Sequence, residues 1–456
     1  MGGITIGGLA TGLDTNSIID QLTSLERRRR VDLLEIDRLE AESKKSALQT
    51  FNSKLATLKS AVAALKEADT AISRAATSSD ETTVKVTAGS GASPGSTDIT
   101  VNTLARGAIA VSGTGVASGS STIAGGAGTF EFEVGTGGTQ SVAIDATTTL
   151  DELATAINDL GAGVTASTVN LGTEASPDYR LRLATSSTGT SNLLTISNDD
   201  TTIGVSVSQQ AADATFTVSG FATGVTRETN TFSDVIPGTT ISLQGTGGPT
   251  TLTVSTDESG VSSKIDAVVA AYNDLVSFVD ENSDVTQSTS SEDGDVIAGP
   301  LAFDSTVRSI LDGLRSAVSD TVTGLSGDYT LLAEIGLTTN QDGTLAFDST
   351  ELSSALGSDE DGVRELFAGD STTSGAFDRI YEFIDSATTS GGFLEIRTNG
   401  LTDEIEALNE RIEAGERAVE NFEADLIAQF ASLETLVSGL QSQGAFLASV
   451  LTTPTG

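Results

Sequence analysis

Between Leu401 and Phe430 the apolar positions Leu401, Ile405, Leu408, Ile412, Val419, Phe422 and Leu426 recur at alternating steps of four and three, broken only at Gly415. That is the seam of a coiled coil, a narrow stripe that needs a partner helix. The spacing slips between Leu426 and Phe430 and resumes through Leu433, Val437 and Leu440, a stutter that locally relaxes supercoiling. The pattern predicts one helix from about Gly400 to Ser449.

The other end of the chain carries a matching signal. Leu13 to Ala88 contains neither glycine nor proline. Asn16 or Ser17 can cap a helix there, with Asp20 in the first turn, where an acid suits the helix dipole. Ile18, with Ile19 beside it, Leu22 and Leu25 begin an apolar stripe that blurs through a charged stretch. Leu48, Phe51, Leu55, Leu58, Val62 and Leu65 then repeat strictly, so a long helix interrupted near residues 27–45 is predicted, with a second seam.

Between about residues 82 and 256 the period changes to two. "TTVKVTA", "DITVN", "TFEFEVG", "YRLRLAT", "IGVSVS", "ATFTVSG", "TTISLQG" and "TLTVST" alternate apolar with polar and are separated by Gly, Ser and Thr, as short antiparallel strands are. One helix interrupts them: "TLDELATAINDLGAGV" offers Thr149 and Glu152 as a capping box and Leu150, Leu153, Ile157 and Leu160 as its stripe. From about residue 261 the helical period returns, with Ile265, Val268, Val269, Tyr272, Leu275 and Val279 on one face. "LTTNQDGTLAFDSTELSSAL" reads as a strand pair around Asp342-Gly343 followed by a helix boxed by Asp348 and Glu351. The fold class is therefore α+β and multidomain: terminal helices form an antiparallel coiled-coil leg, with antiparallel β-rich head domains inserted between them. The expected divisions are terminal coiled-coil segments 1–42 and 415–456, and a helical leg from 43–80 and 260–414. A β-rich head domain from 81–112 and 209–259, and a second from 113–208, complete the division.

Composition narrows the chemistry. Aromatic residues make up only 4% of the 456, so the cores must be aliphatic. There is no cysteine and no histidine, which removes disulfides, thiolate nucleophiles, the usual general base and the commonest metal ligand. The opening "MGGITIGGLATGLD" lacks the basic and apolar regions of a conventional secretory signal, and no apolar run approaches a membrane span. A formal net charge of −39 disfavours nucleic acid and anionic lipid as partners. The one basic run, Arg27 to Arg30, is flanked by Glu26, Asp32 and Glu35 and reads as a solvated helix face with local ion pairs.

No motif points to catalysis. "GASPG" at Gly91 to Gly95 matches G-x-S-x-G in letters, yet no histidine exists to take the serine proton, and Pro94 removes the backbone N–H of an oxyanion hole. The loop around Asn340, Asp342 and Gly343 has Thr338 and Ser349 where a calcium loop needs acids. Asp280 and Asp284 lack the following glycine, and the acids of both loops read as solvated. Neither metal nor cofactor is expected.

"GGLATGLDTNSIIDQLTSLE" resembles the opening of the bacterial flagellar filament cap proteins, the hook-associated protein 2 family. "TLDELATAINDLGAGVTASTVN", centred on Ala156 to Asn158, and the following "YRLRLATSSTGTSNLLTIS" resemble a repeat shared by flagellins and hook-associated proteins. "DAVVAAYNDLVSFVDE", "GPLAFDSTVRSILDGLR", "LLAEIGLTTNQDGTLAFDSTELSSAL" and the closing "LNERIEAGERAVENFEADLIAQFASLETLVSGLQSQGAFLASVL" are similar to the family's C-terminal half. The resemblance implies a non-enzymatic factor at the distal flagellum tip, a ring-like homo-oligomer that retains exported flagellin and promotes its polymerisation, with adhesion as a further contribution. It implies as partners the chain itself, flagellin and hook-associated proteins at the filament end, the flagellar export apparatus, and an export chaperone at the C-terminal helix; nucleic acid and membrane insertion are not implied. Export through the flagellum's own channel would account for the missing signal, and an unfolded chain threaded through it must not be cross-linked. The docking residues implied are Ile18, Ile19, Leu22, Leu25, Leu48, Phe51, Leu55 and Leu58 on the N-terminal side. Leu401, Ile405, Leu408, Ile412, Val419, Phe422, Leu426, Phe430, Leu433, Val437 and Leu440 complete the set. A secreted β-rich adhesin or surface-layer protein is the rival reading, and an acidic hydrolase of unrecognised motif a third.

Subunits this acidic repel one another in a ring, and salt shortens the screening length from ~10 Å at ~0.1 M to ~3 Å at ~1 M. Self-association should therefore strengthen as sodium chloride rises, as read by sedimentation velocity. Dissociation on adding salt would contradict this.

Overall fold

The computed structural model describes residues 12–287 and 296–451; the expectations made for residues 1–11 and 452–456 lie outside them. The chain divides into two compact units, one built from residues up to Ala71 together with those from Ser262, the other from Ile72–Val261.

The first unit is helical. Its N-terminal helix runs Thr15–Arg27, passes through one π turn at Arg28–Asp32 and continues as Leu33–Ala63. The expected interruption near residues 27–45 is thus a change of winding within one rod. Asp14, rather than Asn16 or Ser17, is the N-cap: its carboxylate accepts from the Ser17 N–H at 3.1 Å. The C-terminal helix spans Phe393–Leu451 and begins seven residues before the expected start at Gly400. Buried Leu394 lies one heptad before buried Leu401, so packing extends the seam upstream and carries the helix through its glycine.

Around these two lie the helix Glu258–Ser283 from Ser262 onward, then Ser305–Ser319, Ser349–Ser358, Glu360–Ala368 and Ala376–Thr388. Ile265, Val268, Tyr272, Leu275 and Val279 are buried on the expected face, with Val269 at its edge. Strands Leu337–Thr339 and Leu345–Phe347 pair as expected. Gly343 turns between them at φ +83°, and the Asp342 carboxylate accepts from the Thr344 backbone N–H and hydroxyl, so its oxygens close the turn. Asp348 caps the following helix by accepting from the Thr350 N–H at 2.8 Å.

The second unit is antiparallel β with two cores. In the first, strands Arg74–Ser78, Gly247–Thr256, Gly95–Thr103, Ala214–Val218 and Val225–Arg227 form a sheet in that spatial order, and Thr231–Phe232, Thr239–Leu243 and Val84–Ala88 form another. Ile99, Phe216, Ile241 and Leu252 fill the space between, with Phe216 stacked on Phe232 at 4.9 Å. The second core has a four-stranded sheet, Val205–Gln209, Ile109–Ser112, Tyr179–Thr185 and Val164–Asn170, and a three-stranded one, Gln140–Ile144, Gly128–Val134 and Leu194–Asp199. The helix Leu150–Asp159 packs on it through Leu150, Leu153 and Ile157. Its capping box is formed: Glu152 N–H donates to the Thr149 hydroxyl at 3.3 Å, and Thr149 N–H to the Glu152 carboxylate at 2.9 Å.

Three asparagines do the same structural work. Asn158 accepts from the Ala166 N–H at 2.7 Å and donates to the Ala166 carbonyl at 2.9 Å. Asn230 binds both backbone groups of Ala105, and Asn273 both of Leu345, at 2.7 and 2.9 Å in each case. A carboxamide carries one acceptor and donors in the spacing of a peptide group, so it pairs with both backbone groups of one residue; at Ala166 and Leu345 that residue lies in a strand. Asn158 thereby fastens its helix to the edge strand Val164–Asn170, which lies at the end of its sheet. Asn158→Ala strips two half-buried backbone groups of their partners and should destabilise the β-rich unit by ~1–3 kcal/mol in urea unfolding followed by circular dichroism. Stability equal to wild type would show that the clamp contributes nothing.

Candidate docking surface of the terminal helices

The two terminal helices run side by side over part of their lengths. The C-terminal helix contacts both halves of the N-terminal helix and the π turn between them. Leu401, Leu408, Ile412 and Val419 are buried along this line, and Ile405, Phe422, Leu426, Phe430 and Val437 are half-buried. Leu433 and Leu440 are exposed, at 44% and 57%. On the N-terminal side Leu48, Phe51, Leu55 and Leu58 are buried, but among several helices, since this stretch also packs on Ala376–Thr388. The second seam thus joins a bundle core and is not a two-helix stripe.

The first turns differ from expectation. Ile19 is buried and Ile18 half-buried, whereas Leu22 is 38% and Leu25 63% exposed. The π turn is the cause. It inserts one residue into the helical ladder, so the buried line steps from Glu26 to Val31, and behind it lie Ile19 and Thr15 in place of Leu22 and Leu25. Val31 is fully buried against Ile412 and Val419, with Leu34 beside it. Gly415, the break in the C-terminal heptads, faces this turn. A Cβ there would stand 3.0 Å from the Arg30 carbonyl and 3.1 Å from the Val31 Cγ2, so the missing side chain lets the bulged backbone approach. Sequence reasoning missed Val31 and Leu34 because four arginines precede them; the glycine opposite was the available signal.

Charge organises the same crossing. Arg27 reaches Asp32, Glu35 and, across the pair, Glu416 at 3.7 Å. Arg29 and Arg30 both bind Glu26, and the hydrogen bond from Arg30 is the main reason its carboxyl is held below the usual range. The expected local ion pairs of the basic run are present. A second node is Asp304, whose side chain is 2% exposed. It caps Ser305–Ser319 through the Thr306 and Val307 N–H groups and meets Lys44 at 3.2 Å and Arg397 at 3.4 Å, one from each terminal helix. Burial pushes its carboxyl up, but the Val307 N–H, Lys44 and Arg397 together outweigh burial and hold it below the ordinary value.

Past Val419 the C-terminal helix becomes progressively bare. Ile427, Leu433, Leu436, Leu440, Phe446 and Leu447 are between 42% and 68% exposed, so large apolar side chains recur along this stretch of surface. Ile427, Leu436, Phe446 and Leu447 extend the surface beyond the heptad positions. Among the described residues no group of three or more acidic side chains is placed to hold a metal ion, and no helix is long and apolar enough to cross a membrane.

Residues 129–187 match the flagellin hook IN motif, whose helix and clamping Asn158 are described above. Long terminal helices flanking inserted antiparallel domains, one with this motif, define the class of flagellar axial proteins. Residues 11–108 match the N-terminus, and 211–442 the C-terminus, of flagellar hook-associated protein 2. The chain belongs to the flagellar hook-associated protein 2 family. It is 31% identical to flagellar hook-associated protein 2 of Escherichia coli K12 over 472 residues, covering 98% of each chain. It is 33% identical to the A-type flagellar hook-associated protein 2 of Pseudomonas aeruginosa over 275 residues, 59% of this chain and 56% of that one. The crystal structure of the D1-D2-D3 domains of the Escherichia coli flagellar cap protein FliD superposes with a TM-score of 0.62 at 30% identity, covering 78% of this chain and 99% of that one.

Asp304 contributes stability that is present above the unfolded carboxyl value of ~3.9 and is lost as pH falls through its lower folded value. Asp304→Asn keeps a capping oxygen but loses the ion pairs with Lys44 and Arg397, and should cost the helical unit ~1–3 kcal/mol near pH 7. That gap should close as the wild type is acidified below about pH 4. A gap in urea midpoint that stays constant down to pH 3 would refute the role.

Proposed function

We propose that this chain caps the distal end of a bacterial flagellar filament and supports filament elongation by retaining exported flagellin and promoting its polymerisation. The observation that carries the reading is the apolar surface of the C-terminal helix from Phe422 to Leu447, left open by its own partner helix, in a member of the hook-associated protein 2 family. An amphipathic helix gains most of its stability from packing, so such a stripe needs helices from elsewhere. The filament end, built from flagellin and hook-associated proteins, supplies them. Membership in a family of flagellar cap proteins supports work outside the cell at the flagellum tip, in an oligomeric assembly. We assign passage to the flagellar export apparatus, assisted by an export chaperone at the C-terminal helix, and a ring of identical subunits. The role is structural and not enzymatic.

In this reading segments 1–42 and 415–456 dock into the filament, and 43–80 with 260–414 form the leg. Residues 81–112 with 209–259, and 113–208, form two head domains. The adhesin reading is not favoured, because the family match covers both helical ends as well as the β-rich middle.

Phe422→Asp and Phe430→Asp test the docking role. Each puts a carboxylate at a half-buried seam position, costly to cover with an apolar partner. In a strain lacking the protein, either variant should be exported yet fail to restore filament growth, while the β-rich unit retains its unfolding transition. Restored filaments would exclude the seam as the docking element.

A further inference from the structure

Two sets of buried side chains fill the β-rich unit, and none belongs to both. The chain passes between them twice. Ala105 lies in the first core and Ala108 in the second; on the return Ala211 lies in the second and Ala214 in the first. Each crossing is pinned on both sides. Asn230 holds Ala105 to the first core. In the second, the Ala108 N–H donates to the Thr185 hydroxyl at 2.9 Å and its carbonyl accepts from the Thr185 N–H at 3.0 Å. Only Arg106 and Gly107 remain between these clamps. On the return, the Asp213 carbonyl accepts from the Thr103 hydroxyl at 3.3 Å, which leaves Ala212 between it and buried Ala211. Arg106 and Ala212 pair with each other as an isolated antiparallel bridge, at 2.9 and 3.0 Å from N–H to carbonyl.

We propose that this pair of crossings is a hinge, and that a polar latch beside it holds the hinge shut. The latch is the loop at residues 186–192 of the second core. The Thr190 N–H and hydroxyl donate to the Asp213 carboxylate at 2.6 and 2.8 Å. The Thr188 hydroxyl donates to the Glu228 carbonyl at 2.6 Å, and the Ser191 hydroxyl to the Glu228 carboxylate. Both acids belong to the first core: Asp213 leads into the strand Ala214–Val218, and Glu228 follows the strand Val225–Arg227. Gly189 lets the loop come this close, for its φ is +93° and a Cβ there would stand 2.7 Å from the Glu228 Cβ. All four latch bonds are exposed. Water competes with each of them and no shared apolar core backs them, so they can break together while both cores stay folded. A common apolar core would weld the two parts, whereas parts joined by polar surface move relative to one another. With the latch open the second core turns about the Arg106–Ala212 bridge; with it closed the angle between the cores is fixed. This device goes beyond the capping reading and does not depend on it.

The test uses the full chain, which has no cysteine and so takes spin labels only where cysteines are placed. Thr87→Cys and Ala143→Cys are exposed strand positions, one in each core, and the distribution of distances between their labels reports the angle. With the latch intact the distribution should be narrow. Asp213→Ala combined with Glu228→Ala should broaden it about twofold or more. Thr190→Asp, which alters only the loop and sets a second carboxylate against Asp213, should do the same. Both variants should keep the circular dichroism of the parent. The Gly189 N–H, which donates to the Arg106 carbonyl at 3.3 Å and is touched by neither change, gives a second readout. It should exchange with deuterium about tenfold faster or more in the variants, while the Phe132 amide, in the central strand of its sheet, keeps its protection. An unchanged distance distribution in variants of parental circular dichroism would overturn the proposal. A distribution already as broad with the latch intact would overturn it too, since the bonds would then hold nothing. Loss of protection at Gly189 and Phe132 together, or of strand signal in both variants, would show that the joint opens only as a core unfolds, and the hinge falls.

Discussion

The structure of the helical unit depends on one requirement, that the apolar stripe of a 59-residue helix be covered. At ~1.5 Å per residue that helix is about 90 Å long, far beyond what one partner of ordinary length can cover. Its own N-terminal helix covers the part around Leu401 to Val419, where side chains are buried, and the cover thins from Phe422 onward. Everything peculiar about the pair follows from making this partial cover tight. The π turn, the glycine opposite it, the displaced leucines and the Asp304 joint all lie along the covered portion or at its base. The uncovered portion is regular helix without such devices, as expected of a surface whose final partner comes from another molecule.

The strict heptads were legible because burial in a two-helix seam leaves a period in the sequence that few other environments produce. Leu401, Leu408, Ile412 and Val419 could therefore be placed before any coordinates. The strand pairs and the Thr149 capping box were legible for the same reason, since each is a local pattern with a local cause. What could not be read was the registry of the first four turns. Ile18, Leu22 and Leu25 look like the start of the Leu48 seam, but a single inserted residue at Arg28–Asp32 rotates them away from it. The insertion lies within charged residues, where hydrophobic period carries no information. Strands such as Arg74–Ser78 escaped because "RAATS" has no alternation; its place comes from pairing with Gly247–Thr256 across the sequence. The asparagine clamps are invisible for a related reason: Asn158 has a meaning only once Ala166 is folded back against it.

Those clamps also explain how β-rich domains with few aromatic residues stay well defined. A small aliphatic core specifies registry weakly, and a one-residue slip would turn every side chain to the wrong face. Asn158 and Asn230 each bind the N–H and C=O of one residue of this unit and so fix its place, and Asn158 closes a strand edge as well. Directional bonds here supply the uniqueness that packing alone would leave loose.

Electrostatics works in the same division of labour. Several basic side chains of the helical unit join helices distant in sequence: Arg27 with Glu416, Lys44 and Arg397 on Asp304, Lys54 with Asp274, Lys59 with Asp385. Apart from the buried Asp304 joint, exposed pairs of this kind contribute little stability singly, so their placement is better understood as selecting which helix faces meet than as holding them together. With a net charge of −39, cohesion between copies has to come from apolar surface, and the bases can only choose its alignment. The N-terminal helix has both elements on one face, leucines in a strip and Arg28 within it. The C-terminal helix separates them, acids on its outer side up to Asp425 and bare leucines beyond. One helix pair thus carries two chemically distinct surfaces, one charged and apolar together, the other apolar alone.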